Sequence, residues 1–297
     1  MGIGNHRIDV RMPFPFAPLQ HWKEQGRVDA LRIRPRRSLQ SAVWYYQDPA
    51  TDRWVTVVGV CPQGEMVYYL SLRTIARRGR VGRSQIHYEG LFVPPSESEK
   101  KTAPRPGDME LAEQISQWQV LSIARAGVLG WVDAREGLRP EADWCPHTVT
   151  VSELVNLTGL RWADAHVRRE LERLDWPDGS RRRPAMHRWR EANMARLATR
   201  QGRTTPLRNH PALLTYRSAN ALQAVGEDAQ HTVLLWGPEV MPRIAMGLAD
   251  LGYIRRGQEW LQVGQLPHRP TAAAHLLLGC GPRHPSVLPL ASPPQRH

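Results

Sequence analysis

His87 and Glu89 stand two residues apart in the run SQIHYEGLF (84–92). Residues two apart on a strand share a face, so an imidazole and a carboxylate would project together. Cys61 and Glu239 add a thiol and a second carboxylate, each shortly after a glycine (Gly59, Gly237) that closes an apolar run. Together, Cys61, Glu89, Glu239 and His87 are donor types that can hold a divalent metal. Cys61 also precedes a helix-like segment, where a thiol pKa can fall and the sulfur become nucleophilic. No histidine is placed by sequence as its base, and a small buried apolar role suits it equally. Cys145-Pro146-His147 falls in a stretch read as loop and matches no metal-ligand spacing.

These groups need a scaffold. AVWYY (42–46) and WVTVVGV (54–60) read as strands joined across QDPATDR, a turn, as a hairpin. From Glu65 to Arg78 the apolar period becomes helical, with Met66, Tyr69, Leu72 and Ala76 on one face. Residues 84–92 form the next strand, completing a strand–helix–strand unit suited to a parallel sheet. A polar loop (93–108) leads to a helix striped by Leu111, Ile115, Trp118 and Leu121, then a short strand (128–133). TVTVSEL and WADAHVRRELERL read as two helical segments, the second with Val167, Leu171 and Leu174 inward and its basic residues outward. Asn209 is the expected N-cap of a helix with Pro211 near its start. HTVLLWG (231–237) is a buried strand, a helix carries Ile244, Leu248 and Leu251, and QEWLQVGQL (258–266) is a last strand. The expected fold is α/β, a central mixed and largely parallel sheet flanked by helices. It occupies residues 41–266, between an irregular lead-in (1–40) and a Pro-rich tail (267–297) expected to be disordered. Strand, glycine, loop and helix occur twice, at TVVGVCPQGEMVYYL and TVLLWGPEVMPRIAMGL. On one parallel sheet both loops would open at the same edge, where helix N-termini can receive anions.

The order of these segments resembles the TraB/PrgY/GumN family, related to the TIKI metalloproteases. VTVVGVCPQGEMVYYLSLRTIA…SQIHYEGL is similar to its first strand–helix–strand region, LRNHPALL to its central Arg-Asn motif, and HTVLLWGPEVMPRIAMGLADLGY to its second strand and helix. LGWVDAREGLRPEADWCPHTVTVSEL is similar to a middle segment of actinobacterial members. The likeness runs from about residue 54 to 263. It implies an erythromycin-esterase/ChaN-like α/β domain and a divalent-metal peptidase centre, with a metal such as manganese or cobalt. In that family each glycine-ended strand carries G-x-x-H. Here the histidine positions hold Pro62 and Val240, which offer a metal no lone pair. The glutamate position holds Glu89, and the Arg-Asn pair falls on Arg208 and Asn209. Glu89, as a carboxylate aimed into the pocket, needs a partner, and Arg208 is the expected one. The resemblance therefore implies a catalytically inactive domain without a metal cofactor. It would bind a peptide, protein or small ligand in a cleft lined by Gly59, Cys61, Pro62, Gly237, Glu239 and Val240. The alternative is a divergent metallohydrolase with substitute ligands.

The charge supports a third reading. The net charge is +12, and three of the 40 basic residues are lysines (Lys23, Lys100, Lys101), the rest arginines. Between Arg161 and Arg203 stand 12 arginines and 6 acidic residues, so half the net charge lies in one segment. A solvated helical face, an acidic protein partner and a nucleic acid all fit this, although no RNP, helix-turn-helix or zinc-finger pattern was evident in the sequence. No run approaches the ~20 apolar residues of a membrane span, no signal peptide opens the chain, and three scattered cysteines form no disulfide framework. A cytoplasmic location follows as the expectation.

Overall fold

The most apolar runs become the centre of the sheet. A computed structural model describes residues 30–33, 38–78, 84–93, 107–128, 130–174, 210–226 and 229–265. In chain order these form β1 (Leu31–Ile33), β2 (Ser38–Gln47), β3 (Trp54–Gly59), β4 (Gln63–Gly64), α1 (Met66–Arg78), β5 (Ser84–Val93), α2 (Asp108–Val128), β6 (Val132–Asp133), α3 (Ala134–Leu138), β7 (Cys145–Thr150), α4 (Val151–Thr158), α5 (Leu160–Leu174), α6 (Pro211–Gln223), β8 (His231–Trp236), α7 (Met241–Asp250) and β9 (Ile254–Gln265). The fold is α/β.

Seven strands form one mixed, largely parallel sheet. β3, β8, β5 and β7 lie side by side and parallel, with Gly59 opposite Trp236, Tyr88 opposite Leu235 and Glu89 opposite His147. β2 is antiparallel to β3 along one edge and to β9 along the other, and β1 extends the β3 edge. β3 and β8 show why continuous apolar runs mark central strands: their side chains are buried on both faces. Val58, Ile86, Val233 and Leu235 enter one core layer with α1 and α3. Val55, Val57, Leu234 and Trp236 enter the other with α6 and α7.

Several boundaries differ from the sequence reading. Strands β1 and the start of β2 reach into the segment read as an irregular lead-in. Cys145–Thr150, read as loop and helix, is strand β7. Its Pro146 lacks an N–H, which an edge strand tolerates, and Cys145, Pro146 and Thr148 face solvent. His210, not Asn209, takes the N-cap position of α6, with Pro211 immediately following. The tail from 267 lies outside the described residues.

A third apolar cluster stands apart from the two sheet layers. Leu111 and Ile115 of α2, Val151, Leu154 and Val155 of α4, and Ala163 and Val167 of α5 pack with Val149 and with Leu213 of α6. Their i, i+3 and i+4 spacings place one apolar face on each helix. Thr150 opens α4 with a capping box: Glu153 N–H donates to its hydroxyl at 3.2 Å, and Thr150 N–H donates to the Glu153 carboxylate at 2.8 Å. Thr150→Ala is expected to lower stability by about 1 kcal/mol in urea denaturation. Between α4 and α5 stands Gly159, at φ 83°, a backbone region that L side chains rarely adopt.

Candidate functional site

Both glycine-ended strands open at the same sheet edge, since β3 and β8 are adjacent and parallel and Val60 N–H donates to the Trp236 carbonyl at 2.7 Å. Their loops then part. The Cys61 loop enters the α1 layer. Tyr68 Oη donates to the Gly59 carbonyl, accepts from Cys61 N–H at 3.0 Å and meets Ser41 Oγ at 3.1 Å. Tyr69 Oη donates to the Cys61 carbonyl at 2.8 Å. The Pro62 carbonyl accepts from Ala134 N–H at 2.9 Å. Cys61 itself is wholly buried in that layer. A loop that looks like an active-site loop in sequence is a tightly pinned structural turn.

The other loop, Gly237–Val240, belongs to the opposite layer, with Val240 buried among Trp236, Met241 and Ile244. Here the charged groups converge. Arg217 of α6 is fully buried and lies between two carboxylates. Its Nε donates to Glu89 Oε1, and its Nη2 donates to Glu89 Oε2 at 2.7 Å and to Glu239 Oε1 at 2.8 Å. Gly237 N–H donates to Glu89 Oε2 at 3.0 Å. Both carboxylate side chains are almost completely shielded. Burial alone would lower the Arg217 pKa, but the charges of Glu89 and Glu239 overcome it and hold the guanidinium charged. Glu239 also stands just before the N-terminus of α7, where the helix dipole favours negative charge.

Beside this triad His87 and His147 meet across β5 and β7, Nδ1 to Nε2, at 2.9 Å. His87 Nε2 lies 3.3 Å from Gln85 Oε1. Burial, and then the neighbouring His147, push the His87 pKa down to about 4. Burial also lowers the His147 pKa, although the Glu89 charge opposes it. The His147 ring packs near Trp236, with centroids 5.2 Å apart. The pair is neutral near pH 7.

The structure thus gathers Glu89, Glu239, Gly237 and His87 on one face of the sheet and sends Cys61 and Pro62 to the other. Glu89 meets Arg217, in the role assigned from sequence to Arg208. Arg208 and Asn209 lie outside the described residues. Arg217 had a sequence signal: it stands on the buried stripe of α6 with Leu213, Ser218 and Ala221, where a basic residue calls for an acidic partner. His147 had none, because its strand was read as a loop.

The described side chains at this site do not fit a divalent metal. The place between Glu89 and Glu239 holds a guanidinium, the bidentate partner best matched to a carboxylate. The substitute set of Cys61, Glu89, Glu239 and His87 is divided by the sheet. Among the described residues no group of three or more His, Cys, Asp or Glu side chains is arranged to hold a metal, and no helix is long and apolar enough to cross a membrane. A scan against protein-family models, a search of curated proteins and a search of solved structures each found no match.

Proposed function

We propose that this chain is a non-catalytic binding protein, an erythromycin-esterase/ChaN-like α/β domain of TraB/PrgY/GumN type in which Arg217 replaces the metal. The observation that carries the reading is the buried guanidinium bridging Glu89 and Glu239. A cation built into the chain neutralises these carboxylates without offering an open coordination position to a substrate. The ligand class is a peptide, protein or small molecule taken at the sheet edge where the Gly59 and Gly237 loops begin. Two adjacent glycine-ended parallel strands, with Glu89 on the next strand, support the family-type layout.

Elemental analysis of protein purified without chelator is expected to find no stoichiometric manganese, cobalt or zinc, and peptide hydrolysis is expected to stay at background. A bound equivalent of any of these metals, together with hydrolysis lost in Glu89→Gln, would replace this reading with the divergent metallohydrolase. The exposed Arg161, Arg168 and Arg169 of α5 favour a second reading, nucleic-acid binding.

A further inference from the structure

Helix α5 has two distinct faces. Ala163, Val167, Glu170 and Leu171 turn toward α2 and α4. At 100° per residue, Arg161, Ala165, Arg168, Arg169 and Glu172 fall on the opposite side. The three arginines and Glu172 are exposed there, while Ala165 is half-buried. Helix α4 reaches α5 through Gly159 alone. Gly159 N–H donates to the Val155 carbonyl at 2.8 Å, and its own carbonyl accepts from Ala163 N–H at 3.0 Å. The turn at Gly159 is open, with nothing within 4 Å of the position of an added Cβ, so the glycine serves the backbone and not packing. Two helices in succession joined at a glycine, with a third helix completing their apolar core, follow the order of a helix-turn-helix, here with the turn shortened to Gly159. We infer that α4, Gly159 and α5 form a DNA-binding helix-turn-helix in which α5 enters the major groove of duplex DNA through its outer arginine face.

Charge and dimensions select this occupant. Arg161, Arg168 and Arg169 face outward with Glu172, Asp164 and Glu110 of α2 beside them, and the basic excess comes from the segment that α5 opens, 161–203, with its 12 arginines and 6 acidic residues. Arg168 is held by Asp164 at 3.0 Å and by Glu110 of α2 at 3.2 Å. These are exposed pairs of small net worth, so exchanging them for phosphate contacts costs little. The major groove of B-form DNA is about 12 Å wide and admits an α-helix with its side chains, whereas the deep, narrow major groove of duplex RNA does not. Small Ala165, in the middle of the face, allows close approach. Arginine is the side chain best suited to bidentate contact with guanine edges and to phosphates. This inference rests on the nucleic-acid reading above and is independent of the sheet-edge cleft and of the Arg217 triad.

The test is fluorescence anisotropy of the full chain with a labelled mixed-sequence DNA duplex of about three helical turns. It is repeated over a range of salt concentrations and with a duplex RNA of the same sequence. DNA is expected to bind with an affinity that falls steeply with salt, and RNA to bind about tenfold or more weakly. Arg161→Ala with Arg169→Ala should weaken DNA binding about tenfold and lower the salt slope by about 2. Alanine is a strong helix former, so both variants keep the wild-type circular dichroism. Arg77→Ala with Arg78→Ala, exposed in the last turn of α1, removes the same charge elsewhere and should change binding little. Absent DNA binding, RNA bound as well as DNA, or equal losses in the two double variants would overturn the inference.

Discussion

Arg217→Met is expected to lower the free energy of unfolding by about 3–5 kcal/mol. Methionine matches the length of the arginine stem, so the packing of the stem is kept and the loss is mainly electrostatic. It arises because Glu89 and Glu239 remain buried with their shared cation gone, and an uncompensated buried charge costs far more than an intact pair contributes. The Gly237 N–H bond to Glu89 persists but cannot neutralise two carboxylates. Most domains have only about 5–15 kcal/mol of stability to lose, so the variant should show a much lower urea midpoint. Adding Glu89→Gln and Glu239→Gln to Arg217→Met should recover part of the deficit, because the amides remove the uncompensated charge while still being buried short of hydrogen-bond partners. A midpoint for Arg217→Met within experimental error of wild type would show that the triad is not the electrostatic centre described.

The second large effect depends on pH. Unfolded, His87 takes up its proton near pH 6.5, but in the folded chain only near pH 4. Between these values the unfolded state holds more protons, so stability rises with pH through that window and is fully present above it. Acidification from about pH 7 to pH 4 should therefore remove about 2 kcal/mol through this group, a figure reduced from the full shift to allow for partial solvent access. His147, shifted in the same direction, adds to the loss. The groups facing His87 are His147 on β7 and Gln85 on its own strand. In His87→Gln the difference between acid and neutral stability should shrink by that amount, read from urea melts at each pH. Equal pH dependence in the two proteins would show that the imidazole is solvated like any surface histidine.

How much the sequence disclosed depended on whether the information was local. β3, β8 and α1 were legible because continuous or periodic apolar residues are a property of each segment. The common edge of the Gly59 and Gly237 loops followed from parallel strand order. The direction each loop takes afterwards did not, since it depends on the tyrosines of α1 and on the α6–α7 layer, which belong to other segments. β7 escaped because an exposed edge strand with a proline carries no alternating apolar signal. Arg217 lies 128 residues from Glu89 along the chain, so the stripe of α6 pointed to a buried charge without naming its partner. Likewise α4 and α5 read as separate amphipathic helices. Their shared core is completed by α2, earlier in the chain, and by Leu213 of α6, later in it.

The long pairing of β2 with β9 has a consequence for synthesis on the ribosome. From Ser38 to Gln47, one whole edge of an early strand pairs with residues 254–265, the last described element. Until that segment emerges, a nascent chain presents the edge of β2 unpaired, and an open strand edge invites pairing with other chains. Translation that stalls before Ile254 would therefore release a species prone to aggregate, and folding in the cell would favour a chaperone that shields this edge until β9 arrives.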